Sequence, residues 1–253
     1  MEAIIETKDL TIRFGGHTAV DQVSMRIEKN GFTSIIGPNG AGKSTLFNLL
    51  SGQLKPSSGQ VLFKGTDITH LSPAARTRLG IGRSFQITNV FPNLTVLENV
   101  RLAVQAQQKI YYNMFSHFKS LTRLEERAHQ LLETVLMANK ADYLAKDLAH
   151  GEKRKLEIAM LLALETEVLL LDEPTAGMSL EEVPSILEVL RRIKEERNRT
   201  ILLIEHKINM VLDLSDHLKV LFNGRLLAEG NPQEIMANEL VQSAYLGGLH
   251  DAS

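Results

Sequence analysis

The sequence predicts an α/β protein with a mainly parallel sheet flanked by helices. Two short runs, Val168–Leu171 and Thr200–Ile204, are almost entirely apolar, as expected for parallel strands that helices cover on both faces. Nearer the N-terminus, β-branched residues alternate in part over Ile4–Phe14 and Val20–Ile27, which predicts two strands with one buried face each. A Gly-Gly pair supplies the turn between these two strands.

Further elements follow from local signals. After the first two strands, the pattern predicts a helix over Lys43–Leu50 and a short strand at Gln60–Phe63. Ser72-Pro73 provides an N-cap and a first-turn proline for a short helix. Phe222–Arg225 contains the Asn-Gly signal of a hairpin, and Asn231–Glu234 combines an N-cap, a first-turn proline and a capping glutamate.

The middle of the chain has a different pattern. From about Thr95 to Leu164 the strand signals vanish, and apolar residues recur at helical spacing on one face. We therefore expect a single domain over residues 1–253 with a helical insertion at about 87–166. The residues that define the apolar face are Leu121, Leu124, Ala128, Leu131, Leu132, Val135 and Leu136.

Composition limits the classes of partner. The 253 residues include 28 Lys and Arg against 30 Asp and Glu, and a formal charge of −2 gives no general attraction to nucleic acid or to an anionic membrane. We therefore expect no nucleic-acid partner, and membrane contact only through other proteins. Because the chain has no cysteine, disulfides and thiolate-metal sites are excluded. The N-terminus lacks a signal-peptide pattern and no apolar run approaches roughly 20 residues, so the expected compartment is the cytoplasm.

The most informative motif is a complete match to G-x-x-x-x-G-K-[ST] that follows an apolar run and opens a helix. Its glycines let the backbone curl so that successive N–H groups face phosphate oxygens. Lys43 is placed to reach the β- and γ-phosphates of a nucleotide, and the Ser44 hydroxyl to ligate Mg²⁺. A ligand-free glycine turn would need neither the lysine nor the hydroxyl. The motif consists of Gly37, Pro38, Asn39, Gly40, Ala41, Gly42, Lys43, Ser44 and Thr45.

Polar residues also follow the two apolar strands. Asp172 and Glu173 come directly after Val168–Leu171, at the carboxyl end of a strand, where open α/β sheets bind ligands. Because neighbouring residues of a strand project in opposite directions, Asp172 is expected to hold the Mg²⁺ shell and Glu173 to orient or deprotonate the attacking water. His206 follows the strand that ends at Ile204 and is the candidate for a polar group near the γ-phosphate.

Together these motifs resemble the ATP-binding subunits of ABC transporters. The phosphate loop, Gln86, Leu148–Glu152, Asp172-Glu173 and Ile204–His206 occur in the order and spacing of that family across nearly the whole chain. The resemblance implies a P-loop NTPase of the ABC ATPase type, with an antiparallel β subdomain and an inserted helical subdomain beside the parallel core. It also implies that the protein binds ATP and Mg²⁺ and hydrolyses ATP to drive transport across a membrane.

The resemblance further implies roles for particular residues. Lys43, Glu173 and His206 would form the catalytic group, with His206 contacting the γ-phosphate. Gln86 would ligate Mg²⁺ and link the nucleotide to the helical subdomain, and Phe14 would stack on adenine. In the family, a glycine-rich signature caps the ATP bound to the opposite subunit. The signature positions that would contact that ATP are Ala149, Gly151 and Glu152.

Partners follow from the same resemblance. A second ATP-binding subunit, homologous or identical, would complete an ATP-sandwich dimer. Two transmembrane permease subunits would hold the protein at the cytoplasmic face of the inner membrane, and an extracytoplasmic solute-binding protein would take part indirectly. Phe14–Gly16, Ala228–Pro232 and Ala244–Gly248 resemble the ATPases of branched-chain amino-acid importers, the larger member of their usual pair. ATPases for urea and for lipopolysaccharide export share much of this pattern.

Two segments depart from the family pattern. The common signature is Leu-Ser-Gly-Gly-Gln, but here Ala149 lacks the hydroxyl that would donate to the γ-phosphate. The Gly151 amide and the start of its helix are expected to stay available to phosphate, so capping is predicted to be weakened and not lost. The loop Thr175–Ser179 lacks the aspartate that is common in the family, and Ser179 with Glu182 predicts a capping box for the next helix.

Some interpretations stay open at this level. Ile87–Leu97 either receives a short helix of a membrane subunit or packs under the helical insertion, and Tyr111–Phe115 is interpreted as local packing in preference to a substrate site. A soluble P-loop phosphotransferase is an alternative, but Gln86, Leu148–Glu152 and His206 argue against it. A non-transport ABC protein acting on ribosomes or DNA would carry a second cassette or long coiled coils, which the sequence lacks.

Overall fold

The structure is a computed structural model that describes residues 2–84, 90–108 and 118–247, with only the backbone described at 118–121 and 245–247. Within these ranges, no helix combines the length and the apolar character needed to cross a membrane. The chain forms two compact units. The first comprises Met1–Ile81, Glu167–Glu173 and Arg197–Ser253, and the second comprises Gly82–Thr166 and Pro174–Glu196.

A four-stranded antiparallel sheet forms one part of the first unit. Strands β1 (Ala3–Phe14) and β2 (His17–Glu28) make a long hairpin. Strand β4 (Ser58–Phe63) pairs with the other side of β1, and β5 (Thr66–Asp67) pairs with β4. The predicted pair of N-terminal strands is confirmed, because alternate residues of β2 from Val23 onward are buried while those between them face away from the core.

The second sheet of this unit is mainly parallel. Within this unit its strand order is β10-β9-β3-β8-β7. The strands are β3 (Phe32–Ile36), β7 (Val168–Asp172), β8 (Thr200–Ile204), β9 (His217–Phe222) and β10 (Arg225–Gly230). Strand β6 (Ile81–Arg83) begins in the first unit and continues along the chain into the second. Every residue of β3, β7 and β8 is buried, which confirms the prediction of parallel strands covered on both faces. The register pairs Ile35 with Ile204 and Asp172 with Ile204, so these three strands end at the same level.

Helices α2 (Pro73–Leu79) and α8 (Pro232–Met236) of the first unit begin where local signals place them. Ser72 accepts a hydrogen bond from the Ala75 amide at 3.3 Å, and Asn231 and Glu234 form a reciprocal capping box. The β9–β10 hairpin turns at Asn223-Gly224, where both residues have a left-handed backbone, so this predicted turn is also confirmed. The helices are α1 (Lys43–Ser51), α2 (Pro73–Leu79), α7 (Ile208–Leu214), α8 (Pro232–Met236) and α9 (Glu239–Gly247).

A buried arginine ties α2 to the end of α1. Arg76 is 1% exposed, and its Nη1 donates to Leu49 O at 2.6 Å and to Leu50 O at 2.8 Å. Its Nη2 donates to Thr69 O at 2.8 Å. The last carbonyls of a helix have no partner within the helix, so Arg76 caps the C-terminus of α1. Burial lowers the pKa of Arg76 to about 10, which leaves the guanidinium charged at neutral pH.

The second unit is helical. It contains α3 (Val96–Gln107), α4 (Phe118–Thr134), α5 (His150–Ala163) and α6 (Val183–Glu195), with 3₁₀ turns at Ala138–Lys140 and Ala145–Asp147. Helices α3, α4 and α5 pack against one another, and α6 contacts α4 and α5. The predicted helical character of the middle of the chain is confirmed, whereas the extent of the insertion at 87–166 and the description as one domain stay predictions.

Two local predictions in this unit are wrong. Leu136 is predicted to continue the apolar helical face, but α4 ends at Thr134, and Leu136 has a φ of 59° and is 36% exposed. Ser179 and Glu182 are predicted to cap α6 as a box; Glu182 Oε2 accepts the Ser179 amide at 3.0 Å, but α6 begins only at Val183, so the two residues do not form the N-cap box of that helix. The other residues of the predicted face whose side chains are described are buried: Leu124, Ala128, Leu131, Leu132 and Val135.

Candidate functional site

The phosphate loop runs from the end of β3 into α1, and glycine presets its backbone. Gly37 and Gly42 have φ values of 154° and 96°, which residues with a side chain rarely adopt. A Cβ at Gly37 would lie 2.1 Å from Leu221 O, and one at Gly42 would lie 2.3 Å from Ala19 O. Helix α1 has no side-chain cap and no acidic residue in its first turn. Its N-terminus is therefore suited to an external anion.

Lys43 is buried at the start of α1, and the loop itself holds its ammonium group. Its Nζ donates to Gly37 O at 2.8 Å and to Pro38 O at 2.9 Å. Burial lowers the pKa of Lys43, while the charges of Glu173 and Asp172 oppose that shift. The lysine is thus a preorganised cation whose partners in this structure are two backbone carbonyls.

The strand registers bring Glu173 and His206 into contact. Because β3, β7 and β8 are parallel and end together, the residues that follow them lie along one edge of the sheet. The Glu173 amide donates to Ile204 O at 2.9 Å, and His206 Nε2 lies 2.8 Å from Glu173 Oε1. Glu173 has a left-handed backbone with a φ of 47°. Such strain costs about 1–3 kcal/mol and persists mainly where function requires the geometry.

These segments line one cavity of about 380 Å³ in the first unit, a volume within the range of small-molecule sites. Glu173, His206 and seven of the nine phosphate-loop residues, from Asn39 to Thr45, lie in its wall. Phe14 also lines the cavity and is 49% exposed, as an aromatic ring must be to stack on a base.

Two residues of this cavity were not predicted from the sequence. His17 and Ala19, at the start of β2, contribute to the wall beside Phe14. Their only signal in the sequence is their position just after the Gly-Gly turn that follows Phe14. Neither belongs to the phosphate motif, so their place in the site follows from how the β1–β2 hairpin folds.

A second cavity in the same unit, of about 450 Å³, contains none of these residues. Its wall includes the ion pair of Lys219 with Glu229, and His217 Nε2 lies 3.3 Å from Glu28 Oε2. Since these side chains are already paired with one another, the smaller cavity beside the phosphate loop is the candidate nucleotide site.

The oxygen donors expected for Mg²⁺ fit that ion. Asp172 is the last residue of β7 and is 0% exposed, and Ser44 is the second residue of α1. In the described parts of the chain, no group of three or more His, Cys, Asp or Glu could hold a metal. Mg²⁺ bound with a nucleotide needs only one or two protein oxygens, because phosphates and water complete its shell.

The signature segment opens α5 in the second unit. Ala149 is the N-cap and has no side-chain oxygen that could accept the first helical amides. Glu152 Oε2 accepts the Ala149 amide at 3.1 Å, and Lys140 Nζ donates to Glu152 Oε1. Burial raises the pKa of Glu152, but these hydrogen bonds and the Lys140 charge outweigh it, so the net shift of the pKa is downward. Both carboxylate oxygens of Glu152 are thus engaged within this unit.

The expectation that the Gly151 amide is available to phosphate is not met in this structure. That amide donates to Glu182 Oε1 at 3.0 Å. A second contact joins the same two segments, because His150 Nε2 lies 3.1 Å from Ala176 O. The signature segment is therefore held by the chain that precedes α6. From the sequence, Glu182 was predicted only as a cap of its own helix.

Three interpretations fall partly or wholly outside the described residues. Gln86 and Tyr111–Phe115 lie entirely outside them, as do the first three residues of Ile87–Leu97. In the described part of that last segment, Phe91 is 52% exposed.

Known proteins share this architecture. A family profile described as ABC transporter matches residues 20–176, and one described as branched-chain amino acid ATP-binding cassette transporter matches residues 225–251. The chain is 36% identical over 253 residues to the high-affinity branched-chain amino acid transport ATP-binding protein LivG of Escherichia coli (strain K12), covering 97% of this chain and 98% of that protein. It is 37% identical over 251 residues to BraF of Pseudomonas aeruginosa, with 96% and 98% covered.

Solved structures give the same result. An ATP-binding cassette of an ABC transporter in its ADP conformation matches with a TM-score of 0.83 at 31% identity, over 98% of this chain and all of that one. A dimeric bacterial ABC transporter cassette matches with a TM-score of 0.75 at 27% identity, over 90% and 98%. Fold and cavity together define a P-loop ATPase. The chain belongs to the ABC transporter family, as an ATP-binding subunit that hydrolyses ATP.

Proposed function

We propose that this ATPase powers the uptake of branched-chain amino acids through permease subunits, and that the cavity beside the phosphate loop is its Mg²⁺-ATP site. The observation that carries the site assignment is the convergence of the loop, Glu173 and His206 on one cavity at the ends of β3, β7 and β8. All three segments belong to the first compact unit, so the second unit is not needed to bring them together.

Nucleotide binding begins at the phosphate loop. The backbone amides at the start of α1 would donate to the phosphates, and phosphate oxygens would replace the Gly37 and Pro38 carbonyls as partners of Lys43 Nζ. Phe14 would stack on the adenine ring. Mg²⁺, when bound, neutralises charge on the β- and γ-phosphate oxygens. The Ser44 hydroxyl and the Asp172 carboxylate would hold it, with Gln86 as a further ligand.

Hydrolysis would then depend on Glu173 and His206. Glu173 is proposed to orient and deprotonate the attacking water, and its strained backbone fixes where its carboxylate points. His206 is proposed to hold that carboxylate in place through the contact seen here and to approach the γ-phosphate when ATP is bound.

The Mg²⁺ requirement tests the metal ligands. Phosphate release from ATP is measured while Mg²⁺ is titrated against wild type and Asp172→Asn. The variant is expected to need about tenfold more Mg²⁺, or more, for half-maximal hydrolysis, since a direct ligand loses its charge. Asp142→Asn, at an exposed position, is the control with the same charge change. An unchanged Mg²⁺ requirement in Asp172→Asn would remove that residue from the metal site.

The cassette is proposed to act as one half of an ATP-dependent dimer. The likeness to a dimeric cassette supports this, and so does the position of the signature segment at a helix N-terminus, which suits a phosphate of a second subunit. Light scattering of Glu173→Gln with and without ATP measures the state directly. A doubling of mass with ATP is expected; a monomer that still binds ATP would point to an obligatory partner of different sequence.

The solute and the membrane partners are proposed from the relatives. Two branched-chain amino acid transport ATP-binding proteins are similar to this chain over nearly its whole length, and the profile match at residues 225–251 supports the same group. Permease subunits would hold the ATPase at the cytoplasmic face of the inner membrane, and a solute-binding protein outside would deliver the solute. Copurification with the permeases and uptake of leucine into proteoliposomes test this assignment. Uptake of urea but not leucine would instead assign the ATPase to a urea transporter.

A further inference from the structure

Glu182 holds the signature helix from outside that helix. Its Oε1 accepts the Gly151 amide at 3.0 Å, and its Oε2 accepts the Ser179 amide at 3.0 Å. The approach is close, because a Cβ added at Gly151 would lie 3.0 Å from Oε1. Glu182 thus bridges the N-terminus of α5 and the start of its own segment with one carboxylate.

The reason for this contact lies at the N-cap. A serine or threonine there would accept one of the first amides of α5 through its own side chain, but Ala149 has no oxygen to do so. Glu182 supplies the missing acceptor, and its negative charge suits the partial positive charge of a helix start. The hydrogen bond from the Gly151 amide, followed by that from the Ser179 amide, lowers the pKa of Glu182. The carboxylate is therefore ionised at neutral pH.

We propose that Glu182 is a positioning residue that covers the Gly151 amide until the γ-phosphate of ATP on a second ATP-binding subunit displaces it. This inference rests on the proposed function, in which the signature caps the ATP of the opposite subunit. In this proposal Glu182 acts only through the Gly151 amide, so it is not a catalytic residue.

The physical basis is competition between two anions for one donor. The Gly151 N–H can make one well-aligned hydrogen bond. A carboxylate and a phosphate that approach the same N–H would repel each other, because both are negatively charged. Closure on ATP must therefore release Glu182 from the Gly151 amide. The carboxylate raises the ATP concentration at which two subunits associate.

The test uses the full chain with Glu173→Gln as parent, so that ATP is bound and not consumed. Mass in solution is measured as ATP is titrated. Adding Glu182→Gln is expected to lower the ATP concentration at the midpoint of dimer formation about fivefold, because the uncharged amide is a weaker competitor. The control is Glu181→Gln, an exposed neighbour with the same charge change, for which no shift is expected.

A merely structural cap gives a different result. Glutamine can accept the Gly151 amide as glutamate does, so a structural role alone would leave the midpoint of Glu182→Gln unchanged, and that outcome overturns the inference. The Kd for ADP is expected to stay the same in every variant, because ADP has no γ-phosphate to compete for the amide. A changed Kd for ADP would show that the substitution acts on the phosphate loop and would also overturn it.

A second variant guards against damage to α5. Ala149→Ser combined with Glu182→Ala gives the helix a local cap in place of the distant one, and this pair is expected to dimerise at lower ATP than the parent with Ala149→Ser alone. If the parent binds ATP but never dimerises, mutual capping between identical subunits fails and the inference fails with it. If the parent dimerises and neither Glu182 variant shifts the midpoint, only the inference fails.

Discussion

Two helix N-termini in this chain differ in what occupies them. Helix α1 begins after Gly42, with no side-chain cap and no acidic residue in its first turn. Helix α5 begins after Ala149, also without a side-chain cap of its own, but Glu152 and Glu182 bring two carboxylates to its first amides. One helix start is left to an external anion, whereas the other is covered by anions of the same chain.

The difference shows how each site is stabilised before ATP arrives. The loop before α1 is fixed by glycine geometry, and the helix is anchored at its far end by Arg76, while no side chain caps its N-terminus. The start of α5 is held by Glu182, which must yield before a phosphate can use it. Binding at the phosphate loop is thus preorganised, and capping by the signature requires an exchange of partners.

The largest expected effect comes from removing the cation at the start of α1. Lys43→Ala is expected to reduce ATP turnover by about 100-fold or more, because one preorganised donor to the transferred phosphate is lost. Phosphate release and ATP titration measure this. Lys8→Ala, at an exposed position on β1, is the control and should behave as wild type. Near-normal turnover in Lys43→Ala would contradict the claim that the start of α1 binds the phosphates of ATP.

Backbone geometry of the same loop is tested by Gly42→Ala. The added methyl would meet Ala19 O in a backbone conformation with φ of 96°, so we expect a loss of about 3 kcal/mol or more in the free energy of unfolding, together with weaker ATP binding. Gly16→Ala is the matched control, since a Cβ added there would have nothing within 4 Å. Denaturant unfolding distinguishes the two; equal stabilities would show that the loop is not preset.

The anchor at the other end of α1 is tested by Arg76→Ala. Three buried carbonyls lose the guanidinium as a donor, and of these only Leu49 O keeps a backbone amide, that of Gly52, among the hydrogen bonds of the described residues. We expect the free energy of unfolding to fall by about 3 kcal/mol. Arg78→Ala, exposed on the same helix, should cost less than about 0.5 kcal/mol. If both variants are equally stable in urea, α1 does not depend on this anchor.

The smallest effect concerns the α5 side. Ala149→Ser restores a local N-cap and is expected to stabilise the protein by about 0.5–1.5 kcal/mol and to make ATP-driven dimerisation easier. Thermal unfolding and ATP-dependent mass measure the two effects. If neither changes, the missing hydroxyl does not weaken the capping of ATP by the signature. The difference between the two helix starts would then not affect function.

The sequence predicted what local chemistry determines. The phosphate motif, the Asn-Gly turn and the Ser72 cap depend on residues a few positions apart, and the apolar strands are recognisable from their composition alone. The prediction failed at Leu136, where an apolar residue continues the helical spacing past the end of α4. Periodicity reports which face is apolar but not where a helix ends.

The sequence could not predict the role of Glu182. Its contact with Gly151 joins residues 31 positions apart, and its spacing from Ser179 matches a local capping box equally well. The place of His17 in the cavity wall also depends on tertiary structure, because the β1–β2 hairpin brings it beside the phosphate loop. Contacts that depend on tertiary packing leave no signal at short spacing.

The most direct test of the site is a single-turnover experiment on Glu173→Gln with a limiting amount of ATP. Because Glu173 is proposed to activate the attacking water while the phosphate loop binds the nucleotide, the variant should retain ATP with near wild-type affinity and cleave it about 10²–10⁴ times more slowly than wild type. Bound nucleotide recovered as intact ATP is the expected result. Cleavage at the wild-type rate would contradict the assignment of the cavity and its catalytic carboxylate.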